Sequence, residues 1–272
     1  TIIIAEAGVN HNGNINLALK QVDIASKSRA DYVKFQTYCT DDLVQRKVGL
    51  ARYQKKNLKS TSTQYKLLKR LELSEIDHLK IIRRCKLRKI KFLSSPFDLK
   101  SINLLKKLNL NLFKIPSGEI TNVPYLKKIG SLKKKIILST GMSTSEEIKK
   151  AINILTSSGT KKKNITILHC SSEYPADKGN LNLLSIPFLK KKFKINVGYS
   201  DHSLGLQASL TAVALGAQII EKHFTTNKKL SGPDQKASLS PNELMSFVKG
   251  IRDVESILGK SVKKPYSAEL KN

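Results

Sequence analysis

Two short apolar runs end in side chains that can do chemistry. Residues 195–198 lead into Ser200, Asp201 and His202, and residues 218–220 lead into Glu221, Lys222 and His223. A strand that is apolar along its length and polar at its C-terminal tip is the arrangement by which a parallel barrel builds a site. Two imidazoles on neighbouring tips can face one point in space, which suits a divalent metal. Other predicted tips carry a second set of groups. Lys34, Lys114, Ser95, Ser117, Ser139 and Ser200 are the cations and hydroxyls that surround an oxyanion such as phosphate or carboxylate. Glu6 and Glu119 are candidate acid/base groups, or grips for sugar hydroxyls. The plainer alternatives are snorkelling lysines at the periphery, and carboxylates that only pair with them.

Positioning these groups takes many strands. Apolar runs begin near residues 1, 31, 90, 111, 135, 164, 195 and 218, and helix-period segments lie between them. Ser74 with Asp77 reads as a capping box, Asp98 as an N-cap, and Pro241 as the first residue of a last helix. Pro187 breaks the pattern of residues 181–191. Residues 37–69 form a long polar stretch, expected to be a loop with short helical pieces. Eight strand–helix alternations in 272 residues predict an α/β chain folded as a (β/α)8 TIM barrel over residues 1–259, followed by a linker or tail at 260–272.

Composition narrows the function. The formal net charge is +28, but the lysines are scattered in short runs and no aromatic residues interleave with them. That is a solvated surface rather than a nucleic-acid platform, although the positive field helps to attract anionic substrates. Three widely spaced cysteines, Cys39, Cys85 and Cys170, make no disulfide framework and suit a reducing cytoplasm. No apolar run approaches the roughly 20 residues of a membrane helix, and no signal peptide is recognisable.

Taken in order, E-A-G-V-N-H-N-G, Y-V-K-F-Q, S-S-P-F, F-K-I-P-S-G-E, L-S-T-G-M-S, H-C-S-S-E-Y-P, G-Y-S-D-H-S-L-G, E-K-H-F-T and G-P-D-Q-K-A-S-L span almost the whole chain. Together they resemble the sialic acid synthase family, which condenses phosphoenolpyruvate (PEP) with an N-acylated mannosamine-type sugar. The resemblance implies Mn²⁺, or another divalent ion such as Mg²⁺ or Co²⁺, on His202 and His223. It implies PEP held by Lys34, Ser95, Lys114, Ser117, Ser139 and Ser200, and the amino sugar faced by Glu6, Gln36, Glu119, Tyr174 and Asp234. Glu119 becomes the candidate for moving protons, with Glu6 and Lys114 in the catalytic set. A homodimer is also implied.

Three departures matter. Ser171-Ser172-Glu173 stands where members preferring N-acetylmannosamine often carry Asn, and Gln235 stands where many relatives have His. Relatives leading to legionaminic or pseudaminic acids share this pattern, so the sugar stays open. The given sequence stops at residue 272, in what reads as a linker, so the family's usual antifreeze-like C-terminal domain, which sends an arginine across the dimer, is expected either to have been lost or cut off, or to belong to a longer reading frame. A catalytically inactive barrel, or another PEP-dependent aldol-type synthase, are the competing readings.

Overall fold

The computed structural model describes residues 1–50, 54, 55 and 62–271. Part of the polar stretch expected at 37–69, namely 51–53 and 56–61, lies outside the described residues, as does Asn272. Eight parallel strands form the centre: β1 (Ile2–Gly8), β2 (Tyr32–Thr37), β3 (Lys91–Pro96), β4 (Leu112–Ile115), β5 (Lys135–Ser139), β6 (Ile165–Cys170), β7 (Asn196–Asp201) and β8 (Ile219–His223). The ladder runs β3-β2-β1-β8-β7-β6-β5-β4, and β3 lies beside β4, so the sheet curls nearly closed. The (β/α)8 barrel expected from the sequence is what forms. Helices cover its outside and share one large apolar cluster with the outward faces of the strands.

Register places the chemistry. Ile4 pairs with Tyr32 and Glu221, Tyr32 with Lys91, and Ser200 with Glu221. Successive strand residues point to opposite faces. An inward apolar layer of Ile4, Leu93, Ile137, Leu168 and Ile219, with Tyr32 and Leu112 against it, fills the bottom of the barrel. Two residues further along the same strands stand Glu6, Ser95, Ser139, Cys170, Glu221, Lys34 and Lys114. The polar layer therefore sits directly above a dry floor. Gly198 lets the floor close: a Cβ there would lie 2.4 Å from the Ile219 carbonyl oxygen and 2.6 Å from Leu168 Cδ2.

The pleat that turns Ser200 and Glu221 inward turns their neighbours Asp201 and Lys222 outward. These two are Cα partners and form a buried ion pair at 2.8 Å. Lys222 Nζ also donates to the Ser203 carbonyl at 2.7 Å. Asp201 accepts from the Ser203 amide at 2.8 Å, the Ser203 hydroxyl at 2.6 Å and the Ser209 hydroxyl at 2.5 Å.

Helix starts follow local chemistry. The Ser74–Asp77 capping box, the Asp98 cap and Pro241 in the first turn are all present. The helix expected from residue 181 begins later, at Ser185–Phe193, with Pro187 inside its first turn, where a missing N–H costs nothing. The helix after β7, Gln207–Ala214, begins just beyond Gly205, which adopts a left-handed φ of +80°. Two short helices, Thr40–Leu43 and Gln64–Leu71, interrupt the long polar stretch. The last barrel helix ends at Leu258, and residues 259–270 are exposed. No helix among the described residues is long and apolar enough to cross a membrane.

Candidate active site

The C-terminal mouth of the barrel opens into a cavity of about 490 Å³, within the size range of small-molecule sites. Lys34, Gln36, Ser95, Lys114, Ser117, Ser139, Tyr174, Ser200, His202, His223, Asp234 and Glu6 all line it. Residues from every strand tip thus meet in one space. Glu119 is held differently. It ends a 3-10 turn, Ser117–Glu119, and accepts a hydrogen bond from Asn122 Nδ2 at 2.7 Å. It is not among the residues lining the cavity.

At the floor, two ammonium groups and two carboxylates interlock. Lys34 Nζ lies 2.8 Å from Glu6 Oε2 and 3.5 Å from Glu221 Oε2, and donates to Ser95 Oγ at 3.1 Å. Lys114 Nζ donates to Glu221 Oε1 at 3.1 Å, and Ser200 Oγ donates to the same oxygen at 3.0 Å. Lys34 and Lys114 are only 4% and 3% exposed, which removes the reading of peripheral lysines. The sequence marks Glu221 only as a neighbour of His223. Strand alternation carries its signal, since a residue two before an inward His223 also points inward.

Electrostatics separate the carboxylates. Burial raises Glu6 to about 8, against the pull of Lys34. Glu221 is equally buried, but Lys114 and Lys34 outweigh that and hold it down at about 2. Burial pushes Lys114 down, whereas for Lys34 it is overcome by Glu221 and Glu6, which raise it. Burial alone lifts Asp234 to about 6.

The two histidines stand 5.9 Å apart between ring centroids, and the Tyr174 ring lies 4.1 Å from that of His202, tilted by 31°. His202 Nδ1 is tied to the Ser171 carbonyl at 2.5 Å, which fixes the ring and turns Nε2 into the cavity, where its one contact is a long one to Ser200 Oγ at 3.4 Å. His223 Nδ1 is a buried polar atom with no hydrogen-bond partner. Burial lowers His202 to about 4 and His223 well below its ordinary value. Neutral imidazoles of this kind fit a divalent metal. Among the described residues no group of three His, Cys, Asp or Glu side chains is arranged to hold one. The pair would therefore supply two positions and leave the others to water or substrate.

Smaller contacts finish the frame. The Gly141 amide donates to Ser117 Oγ at 3.0 Å, and a Cβ on Gly141 would lie 2.4 Å from Ser172 Oγ. Cys170 Sγ is 3.4 Å from Ser117 Oγ. The loop after β8 is pinned to the loop after β1. Gln235 Nε2 donates to the Asn10 carbonyl at 3.1 Å, and Asn10 Nδ2 donates to the Phe224 carbonyl at 2.8 Å. Gln235 is fully buried in this seam, so the departure noted at this position is a structural joint of the loop that carries Asp234.

Comparison with known proteins agrees with this construction. A family model described as the NeuB family matches residues 21–263. An N,N'-diacetyllegionaminic acid synthase of Campylobacter jejuni is 52% identical over 272 residues, covering 100% of this chain and 81% of that protein. A protein of the same name from Legionella pneumophila is 47% identical over 270 residues, covering 98% and 76%. Among solved structures, an N-acetylneuraminic acid (sialic acid) synthetase from Leptospira borgpetersenii in complex with citrate matches with a TM-score of 0.86 at 34% identity, over 99% of this chain and 89% of that one.

Proposed function

The chain belongs to the NeuB family, the sialic acid synthases, and from that premise we propose that it joins PEP to the open-chain aldehyde of a 2,4-diacetamido-2,4,6-trideoxy sugar, giving a legionaminic-type acid and phosphate. The observation that carries this reading is the meeting of Lys34, Lys114 and the serine hydroxyls with the His202–His223 pair in one cavity. The two relatives named as N,N'-diacetyllegionaminic acid synthases favour this sugar class.

Carbon 3 of PEP attacks the aldehyde carbon, forming the new C–C bond. Water then adds to carbon 2, and the tetrahedral product loses phosphate with cleavage of its C–O bond. Lys34, Lys114, Ser95, Ser117, Ser139 and Ser200 bind and orient the phosphate and carboxylate, holding the reacting carbon in place. Glu6, kept protonated near neutral pH by burial, is placed to deliver a proton to the oxygen that was the aldehyde. Gln36, Tyr174 and Asp234 position the sugar. His202 and His223 would hold a divalent ion, Mn²⁺ first, which when bound supplies Lewis-acid polarisation of the aldehyde. The proposal includes a homodimer, a cytoplasmic location, and a barrel unit ending near residue 259.

Calorimetric titration of PEP, with Mn²⁺ and with excess chelator, tests the reading alongside phosphate release on adding the sugar. Binding that weakens at least tenfold in Lys114→Ala is expected. A well-folded protein that binds no PEP would favour the inactive-barrel alternative. Turnover only with a phosphorylated sugar would favour another aldol-type synthase.

A further inference from the structure

The cavity has two unlike walls. Besides the lysines and histidines, the chain that follows β2 presents Tyr38, Leu43, Val44, Leu67 and Leu68, joined by Phe97 from beyond β3. Tyr38 meets Phe97 edge-on, with ring centroids 6.4 Å apart at 84°. Its hydroxyl donates to the Leu68 carbonyl at 3.1 Å, so this side chain offers carbon to the cavity. Val9, Leu50 and Leu71 pack with Tyr38, Leu43, Leu67, Leu68 and Phe97 in one apolar cluster separate from the main core. The wall is therefore anchored, and does not depend on substrate to hold its shape. Two amide side chains, Gln54 and Gln64, line the same cavity.

A sugar hydroxyl pressed against such a surface loses its water partners and gains none. A methyl group in the same place is favoured. An acylamino group carries both kinds of surface, a methyl for the leucines and an amide that glutamine side chains can match. We propose that this wall determines specificity, selecting an acceptor that bears methyl and acylamino groups where an ordinary hexosamine bears hydroxyls. The inference rests on the synthase reading and assigns its sugar preference to these residues. Leu43 and Val44 are the informative positions, because both are half-buried and both face the cavity.

The test compares kcat/KM for a 2,4-diacetamido-2,4,6-trideoxyhexose with that for a 2-acetamido hexose carrying hydroxyls at C4 and C6. The wild type, Val44→Thr, Leu43→Asn and the double variant are measured at saturating PEP. The wild type should prefer the deoxygenated sugar by about tenfold or more, the range expected when single carbon groups are read by an apolar pocket. The double variant should lose about tenfold on that sugar and little or nothing on the hydroxylated one, with the half-saturating concentration of PEP unchanged. Val44→Thr, nearly isosteric, guards against misfolding and should shift the ratio in the same direction. A wild-type preference for the hydroxylated sugar would overturn the inference, as would variants that lower both sugars equally. Failure to turn over either sugar, in protein that still binds PEP, would defeat the synthase reading and the inference with it.

Discussion

Replacing Lys222 with Met tests whether the outward face of β7 and β8 is a designed joint. The Lys222 ammonium is buried and makes two contacts, to Asp201 at 2.8 Å and to the Ser203 carbonyl at 2.7 Å. Met preserves most of the stem and its packing, so the perturbation is largely the lost charge. It strands the Asp201 carboxylate in a buried site. Breaking a buried pair from one side costs about 3–5 kcal/mol. Asp201 keeps three donors, from the Ser203 amide, the Ser203 hydroxyl and the Ser209 hydroxyl, so the loss should fall at the lower end, about 3 kcal/mol. Urea unfolding reads this as a lower midpoint at unchanged slope. Adding Asp201→Asn removes the stranded charge, so the double variant should be more stable than the two single losses summed, by at least about 1 kcal/mol. A Lys222→Met protein within about 0.5 kcal/mol of wild type would refute the argument, as would strictly additive losses. Because His202 and His223 immediately follow these two residues, a confirmed coupling would show what fixes the strand tips that carry them.

Four further outcomes are expected. Gly198→Ala should destabilise the barrel by about 3 kcal/mol or more, since the added carbon meets backbone at 2.4 Å; an unfolding midpoint close to wild type would show that the floor has slack. Asp234, raised to about 6 by burial, keeps its proton in the folded state where the unfolded chain has released it, so its penalty is absent at low pH and complete above its folded value. Asp234→Asn should therefore gain on wild type by up to about 3 kcal/mol between about pH 4 and 7.5, and a constant difference in urea midpoints across that range would contradict the assignment. His202→Ala and His223→Ala should each weaken Mn²⁺ binding at least tenfold, measured by calorimetry without substrate; unchanged affinity would remove that ligand. Glu119→Gln should spare PEP binding but lower turnover, by about the 10²–10⁴-fold of a general acid or base, and unchanged turnover would remove the proton-transfer role.

The sequence reveals where strands begin better than where they stop. The apolar runs that end at residues 198 and 220 fall short of the observed strand ends at Asp201 and His223. Hydrophobicity marks a strand only while its side chains meet apolar surroundings, whereas the backbone ladder continues into the polar mouth. The same effect hid Glu221: it sits inside β8, paired with Ile4 and Ser200, and only inward alternation reveals its partners. The conformation of Glu119 was illegible for a different reason. It follows β4 in sequence, but a 3-10 turn rotates it toward Asn122, and that rotation has no periodic signature. The apolar wall was illegible because its leucines are spread through a stretch that reads as polar overall.

Glu221 also explains how a barrel can keep two lysines beneath a substrate without destabilising itself. Lys34 and Lys114 both reach Glu221, and Ser200 secures the same carboxylate. In the low dielectric above the apolar floor, two unpaired ammonium groups would be costly and would repel one another. One ionised Glu221 shared between them, with Glu6 largely protonated near neutral pH, offsets this while leaving the cluster net positive. The cations are held in place before any ligand arrives, so an incoming phosphate and carboxylate meet donors that need little rearrangement. Neutralising Glu221 or removing it would work against this balance in the same direction, because each leaves the two ammonium groups without the anion they share. A carboxylate that lines the cavity without being needed as an acid or base is thus a requirement of placing two buried cations on one floor.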